Sequence, residues 1–278
     1  MLPETRFLPR LATALILALV LGGCASTAPT SPAGQDRPAA TGYLHAQAIP
    51  DSLTLVPPPP APGSAAAALD AAVATQALAL RDSARFTQAH VDADLSFPVG
   101  ADQFSCALGI PINTTHTPAL YRLLERSRID ASAATRAAKN HYRRPRPFVL
   151  NQQPVCTPEE EARLRDSGSY PSGHTAIGWA WALILAEIAP ERATPLLQRG
   201  HNYGHSRLVC NVHWYSDVQQ GRAMAAATVA RLHDDAQFSV DLKLARREIN
   251  ATRALALPMP RDCTAEATAL ATELSEAP

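Results

Sequence analysis

The chain has 278 residues, balances 25 Lys and Arg against 25 Asp and Glu, and has a pI near 7.1. A chain with no formal net charge has no general attraction for polyanions, so no nucleic-acid partner is expected and any anion binding has to come from a local cluster. The length suits one domain of ordinary size with extensions.

The chain opens on an export signal. Arg6 and Arg10 give a weakly basic start despite Glu4, LATALILALVL over 11–21 is a continuous apolar core, and small residues follow. The run is too short to span a bilayer as a stable helix. Leu21-Gly22-Gly23-Cys24 resembles a bacterial lipobox, which predicts a lipoprotein signal peptide over 1–23, cleavage before Cys24 and lipid on its sulfur. Several acyl chains on one cysteine anchor firmly, so the expected location is the periplasmic side of a bacterial envelope, with membrane contact only through this anchor. Residues 24–45, rich in Ala, Pro, Ser and Thr, read as a disordered tether, and Pro57–Pro60 with Pro62 as a stiff polyproline segment.

Helical spacing of apolar residues begins at Ala65 and continues to 95. Further helices are expected over 117–128, 130–141, 158–165, 173–188, 191–206, 217–233 and 237–254, and a surface helix over 264–277. Strand signals are nearly absent and alanine is abundant, so the predicted class is an all-α helical bundle, with one domain over 46–255 and a C-terminal tail over 256–278. Trp179 and Trp181 fall in an apolar helix and read as core or interface; an apolar bundle surface of this kind is compatible with a homo-oligomer.

Three segments carry chemistry. KNHYRRPRPF over 139–148 gathers Lys139, Arg143, Arg144 and Arg146. GSYPSGHT over 168–175 is a tight turn feeding an apolar helix, and a helix start offers unpaired amides and a favourable dipole to an anion. Ser172 and His174 stand there, with Gly173 allowing close approach of a ligand to the backbone. HSRLVCNVHWYSD over 205–217 places His213 and Asp217 four residues apart, where a carboxylate can fix the imidazole tautomer and leave the other nitrogen free. Each segment alone also reads blandly, as a solvated basic helix end, a capped helix or a histidine beside a capping acid.

Cys106, Cys156, Cys210 and Cys263 remain once Cys24 is assigned to lipid. An even count in an exported chain suggests two disulfides, with three pairings open. Cys156–Cys210 is favoured because both flank motifs that have to converge, and Cys106–Cys263 would then pin the tail. No CxxC spacing supports a metal site. His201 and His205 could share one helix face, but no suitably spaced acid accompanies them, so no metal is expected. His141, Arg143 and Arg144 read as supports of the site mouth.

Together the segments resemble the signature of the acid phosphatase and PAP2 superfamily: Lys139 to Arg146-Pro147, then Pro171-Ser172-Gly173-His174, then Ser206-Arg207 to His213 to Asp217. The form GSYPSGHT and the exported body look most like class A bacterial non-specific acid phosphatases, with the likeness extending over about 50–253. The resemblance implies an all-α fold and hydrolysis of phosphate monoesters without a metal or other cofactor. It implies that Lys139, Arg146, Arg207, Ser172 and the Gly173 amide bind phosphate, and that His213 attacks phosphorus to give a phosphohistidine. Asp217 would orient His213, and His174 would protonate the leaving oxygen and then activate water. Alcohols could compete with water and give a phosphotransferase side activity. An acidic, bell-shaped pH profile is expected, with bound phosphate raising the pKa of His174 and the cations opposing protonation of His213. The competing readings are a lipid phosphate phosphatase, a vanadium-dependent haloperoxidase that holds vanadate in the same cradle, and a non-enzymatic anion-binding lipoprotein.

Overall fold

The fold is known from a computed structural model, which describes residues 40–272 and residue 274; the signal segment, Cys24 and most of the tether lie outside these. Among the described residues there is no strand, and no helix is long and apolar enough to cross a membrane. The principal helices are α1 (Ala65–Leu78), α2 (Ala84–Val91), α3 (Pro118–Ala134), α4 (Arg136–Tyr142), α5 (Gly173–Ile188), α6 (Ala193–Val209), α7 (Tyr215–Leu232), α8 (Ala236–Arg253) and α9 (Cys263–Leu270).

Helix α5 is apolar on nearly every side, as expected of a helix surrounded by others. It packs on α6, α7 and α3, and α8 lies against α3. Trp181 is fully buried at its centre, edge-on to Phe97, Phe104 and Tyr203, and its Nε1 donates to Leu124 O at 2.9 Å. The contact of α5 with α6 is too close for side chains at the crossing: a Cβ on Gly200 would lie 2.3 Å from the Cβ of Ala182. Likewise a Cβ on Gly221 would lie 2.6 Å from Ser172 O, so glycine is what lets α7 rest on the start of α5.

The helix expected over 65–95 is two. Asp82 adopts φ 63°, and Ser83 then caps α2 by accepting from Phe86 N–H. That left-handed residue ends the run although the helical spacing continues through it. By contrast, the helices expected over 117–128 and 130–141 are divided later than anticipated, at Thr135.

The tether is shorter than expected. Tyr43 N–H and Leu44 N–H donate to the Asp130 carboxylate at 2.8 and 3.1 Å, and Tyr43 Oη donates to Asp241 at 2.8 Å. Tyr43 is buried edge-on to Phe238 under the Arg126 guanidinium, so ordered structure starts before residue 45. The C-terminal segment is likewise part of the fold rather than an appended tail. Disulfides join Cys106 to Cys263 and Cys156 to Cys210, with Cα separations of 5.5 and 4.7 Å. The first of them seats α9 so that Glu266 meets Arg199 at 3.4 Å and Arg261 at 3.1 Å. Arg199 in turn holds the fully buried Asp92, at 2.5 Å, and Ser206 Oγ donates to the same carboxylate at 2.5 Å. This polar knot ties α2, α6 and α9 together one residue before Arg207.

Candidate active site

The motif residues reach one cleft from five places in the chain. Lys139, Arg146, Gly173, His174, Arg207 and His213 all line a cavity of about 780 Å³. Ser172 and Asp217 lie fully buried just behind it.

Helix α4 ends at Arg143, whose φ is 43°, and the chain leaves through Arg144-Pro145-Arg146, with Arg146 extended, before a short helix opens at Pro147. A residue before proline is kept out of the helical region, so both arginines stand outside it. They meet the His213–Asp217 pair from the same segment. Arg146 Nη1 lies 3.1 Å from His213 Nε2 and also donates to Val212 O, while its Nε donates to Leu164 O. Arg144 Nη1 donates to Asp217 Oδ1 at 2.7 Å.

His213 follows the end of α6, and Asp217 is in the first turn of α7. His213 Nδ1 and Asp217 Oδ2 are 3.2 Å apart, and the same oxygen accepts from Trp214 N–H at 2.9 Å. Asp217 therefore caps α7 and orients the imidazole at once. With Nδ1–H facing a carboxylate and Nε2 facing a guanidinium donor, the only consistent neutral tautomer carries its lone pair on Nε2. Burial, then Arg146, Lys139 and Arg207, hold the His213 pKa well below the ordinary histidine value. Burial pushes the Asp217 carboxyl up, opposed by Arg144 and the Trp214 amide.

Ser172 is the N-cap of α5; its Oγ accepts from Thr175 N–H at 3.2 Å and from Thr175 Oγ1 at 2.9 Å. The amides of Gly173 and His174, the two cavity-lining residues of this turn, have no intrahelical acceptor. A Cβ on Gly173 would meet only Thr135 Oγ1, at an ordinary 3.5 Å, so packing within the protein does not demand glycine here. The open space lies on the cavity side. His174 Nε2 donates to Ala93 O at 2.8 Å, which leaves Nδ1 as its other site of proton exchange. Burial and Arg207 hold its pKa well below the ordinary value. The protein alone thus pushes His174 opposite to the direction expected with a bound phosphate, because only the ligand's dianion supplies the compensating charge.

The two remaining cations differ. Arg207 is 1% exposed, and its Nε and Nη1 have no hydrogen-bond partner. Lys139 Nζ instead gives its three donors to the carbonyls of Gly168, Ser169 and Pro171 at 3.0, 3.3 and 2.8 Å. From this position Lys139 staples the 168–171 turn and contributes charge to the cleft; direct contact with an oxyanion requires one of those bonds to be exchanged. Burial, with Arg146 beside it, pushes its pKa down to about 7.

Two residues of the site escaped the sequence reading. Arg144, taken as a support of the mouth, bridges Asp217 and Asp70: its Nη2 donates to Asp70 Oδ2 at 2.6 Å. Asp70 also accepts from Ser216 N–H and Ser216 Oγ, both at 2.7 Å. The available signal was a lone acid in the alanine run AAAALDAA, where burial demands a partner. Asp70→Asn is expected to lower kcat about tenfold, ~1.4 kcal/mol of transition-state stabilisation, by loosening Arg144 on Asp217. The acid limb of the pH–rate profile should move with it. A kcat per folded molecule equal to that of the native protein, with only the melting temperature lowered, would reduce Asp70 to a structural residue.

Among the described residues no group of three or more His, Cys, Asp or Glu could hold a metal ion. His201 and His205 lie ring to ring at 4.2 Å on α6, and neither lines the cavity.

Residues 128–239 match the PAP2 superfamily. The chain is 41% identical over 219 residues to an acid phosphatase of Zymomonas mobilis subsp. mobilis, covering 79% of this chain and 81% of the relative. It is 44% identical over 208 residues to a non-specific acid phosphatase of Providencia stuartii, covering 74% and 84%, and 42% identical over 196 residues to one of Salmonella typhimurium, covering 70% and 78%.

Proposed function

The chain belongs to the acid phosphatases of the PAP2 superfamily, and from that premise we propose that it hydrolyses phosphate monoesters of broad structure through a phosphohistidine on His213. The observation that carries the mechanism is the buried Arg207, with two donors that no described residue satisfies, in the same cleft as both imidazoles. Buried donors of a cation call for an anion, and a phosphoryl group offers three oxygens to them. Arg146, Lys139 and the α5 start add positive potential around the same space. Such preorganised donors stabilise the charge spread over the equatorial oxygens of the transition state.

In the first step the His213 Nε2 lone pair attacks phosphorus, the bond from phosphorus to the ester oxygen breaks, and His174 delivers a proton to the departing oxygen. Nδ1–H of His213 stays on Asp217, whose charge balances the cationic phosphoimidazole. In the second step His174 takes a proton from water, the resulting hydroxide attacks phosphorus, and the bond to Nε2 breaks. An alcohol in place of water gives phosphoryl transfer by the same route. Release of phosphate from a panel of alkyl, aryl, sugar and nucleoside monophosphates, undiminished by EDTA, tests the reading. No release from any of them under acidic conditions would sink it.

The pH dependence follows from the two directions of shift. Depression of the His213 pKa keeps the nucleophile neutral into the acidic range. Lys139 carries its charge below about pH 7 and loses it above. The ratio of native kcat/KM to that of Lys139→Met is therefore expected to be large at pH 5 and to fall by pH 9 to the smaller factor left by loss of the staple on the 168–171 turn. Taking the ratio cancels the substrate's own ionisation. A constant ratio would mean that the lysine charge is irrelevant to catalysis.

We infer further that the protein works on the periplasmic side of the envelope, anchored through Cys24. The export-like start supports this, as do the two disulfides, which persist in oxidising compartments. The native protein is expected in the membrane fraction and Cys24→Ser in the soluble periplasmic fraction. Native protein recovered free of membranes would remove the anchor.

A further inference from the structure

The cleft is far larger than a phosphoryl group needs, and at about 780 Å³ it has the volume of a pocket for a whole small molecule. No Trp, Tyr or Phe is among the described residues that line it, so a leaving group finds no large aromatic ring to stack on. The lining offers charge instead. Arg128, Ser132, Arg136 and Lys139 follow one another at spacings of four, four and three residues along α3 and α4, and all of them line the cleft. The spacing is helical within each of the two helices, and across their division at Thr135 the four residues form one polar wall of the cleft.

The two arginines of this wall are not spent on the protein. Arg128 Nε is buried without a hydrogen-bond partner, and Arg136 is exposed. Neither forms an ion pair among the described residues. The rest of the lining is mixed: Thr157 Oγ1 and Glu160 Oε2 are buried without a hydrogen-bond partner among the described residues. Arg163 is held by Glu160 Oε1 at 2.5 Å, Asp94 accepts from Ser96 N–H at 2.7 Å, and Glu159 lines the cleft with them. The position of Arg128 relative to the chemistry is set by the segment 93–97. Ala93 O accepts from His174 Nε2, and the Phe97 ring lies 5.5 Å below the Arg128 guanidinium. Arg128 therefore stands on the His174 side of the cleft, where the leaving group of the proposed reaction departs.

We propose that Arg128 and Arg136 form a second anion subsite, so that the favoured substrates are phosphate monoesters whose alcohol portion carries another anionic group, a second phosphate above all. The proposal rests on the phosphomonoesterase reading of the site. Arg128 precedes Lys139 by eleven positions across the division at Thr135, at most about 16 Å at the rise of an α-helix before the reach of the side chains is subtracted. The two anionic groups are accordingly several carbons apart.

Calorimetric titration with hexane-1,6-bisphosphonate and with hexylphosphonate tests this on the whole protein, since neither compound is turned over. The native protein is expected to bind the bisphosphonate at least about tenfold more tightly, a preference that falls as salt is raised. In the double variant Arg128→Gln, Arg136→Gln the ratio is expected to drop to about twofold. Equal affinities in the native protein would overturn the subsite, as would a preference that survives the double variant. Hydrolysis of p-nitrophenyl phosphate, measured in parallel, reports on the underlying reading separately. If the native protein fails to hydrolyse it, the phosphatase mechanism falls while the calorimetric ratio still decides the subsite.

Discussion

His213→Ala is expected to abolish turnover, lowering kcat by about four orders of magnitude or more, while inorganic phosphate still binds within a few-fold of its native affinity. The two readouts separate because the groups that grip the anion are not the group that attacks it. Arg146 keeps its bonds to Leu164 O, Val212 O and Ser167 Oγ without the imidazole. Arg207 and the start of α5 do not depend on His213 for their position. What is lost is the nucleophile itself, and removal of one member of a catalytic unit costs nearly the whole of its contribution. The native enzyme quenched during turnover should carry phosphoryl label that is lost in acid, because protonation of the imidazole frees it as a leaving group. His213→Ala should carry none. His174→Ala gives the complementary result with p-nitrophenyl phosphate, whose leaving group needs little protonation: label accumulates because water is no longer activated. Undiminished turnover in His213→Ala would overturn the nucleophile assignment.

The parts of this site that were legible in the sequence are the parts set by short-range spacing. A spacing of four between His213 and Asp217 suffices for a turn of near-helical backbone to bring ring and carboxylate together. A Pro-Ser-Gly turn before an unbroken apolar run fixes the start of α5 at Gly173, and its end at Ile188 was equally readable. What was not legible depends on partners remote in the chain. Arg144 is one of several basic residues in KNHYRRPRPF, and nothing nearby distinguishes its task. The distinction comes from Asp70, 74 residues away, whose carboxylate selects it. Tyr43 sits in a stretch of tether-like composition, and its burial depends on Asp130 and Asp241 at long range. The division between α1 and α2 was hidden for the opposite reason. Spacing persisted where one residue, Asp82, left the helical region of backbone space. Lys139 shows a third kind of gap: the sequence marks it as a cation of the site, but only the fold reveals three carbonyls around its ammonium.

Arg207→Met is expected to lower kcat/KM by about four orders of magnitude or more and at the same time to raise the melting temperature. The opposite signs follow from one fact. Arg207 is almost wholly buried with Nε and Nη1 unpaired by any described residue, and burial depresses its pKa. An unsatisfied charged donor in the interior costs roughly 1–3 kcal/mol or more, so a methionine of similar length relieves a penalty the native fold carries. Each preorganised donor withdrawn from a developing oxyanion costs about 10²–10³ in rate, and this change withdraws two. Phosphate should therefore stabilise the native protein, by about 2.7 kcal/mol at a hundred times its dissociation constant, and should barely stabilise Arg207→Met. Arg207→Lys keeps the charge but loses the fork, and is expected to fall between the two in rate. If Arg207→Met were both slower and less stable, with phosphate stabilising it as it stabilises the native protein, Arg207 would be a structural residue. The anion would then have to be gripped elsewhere in the cleft.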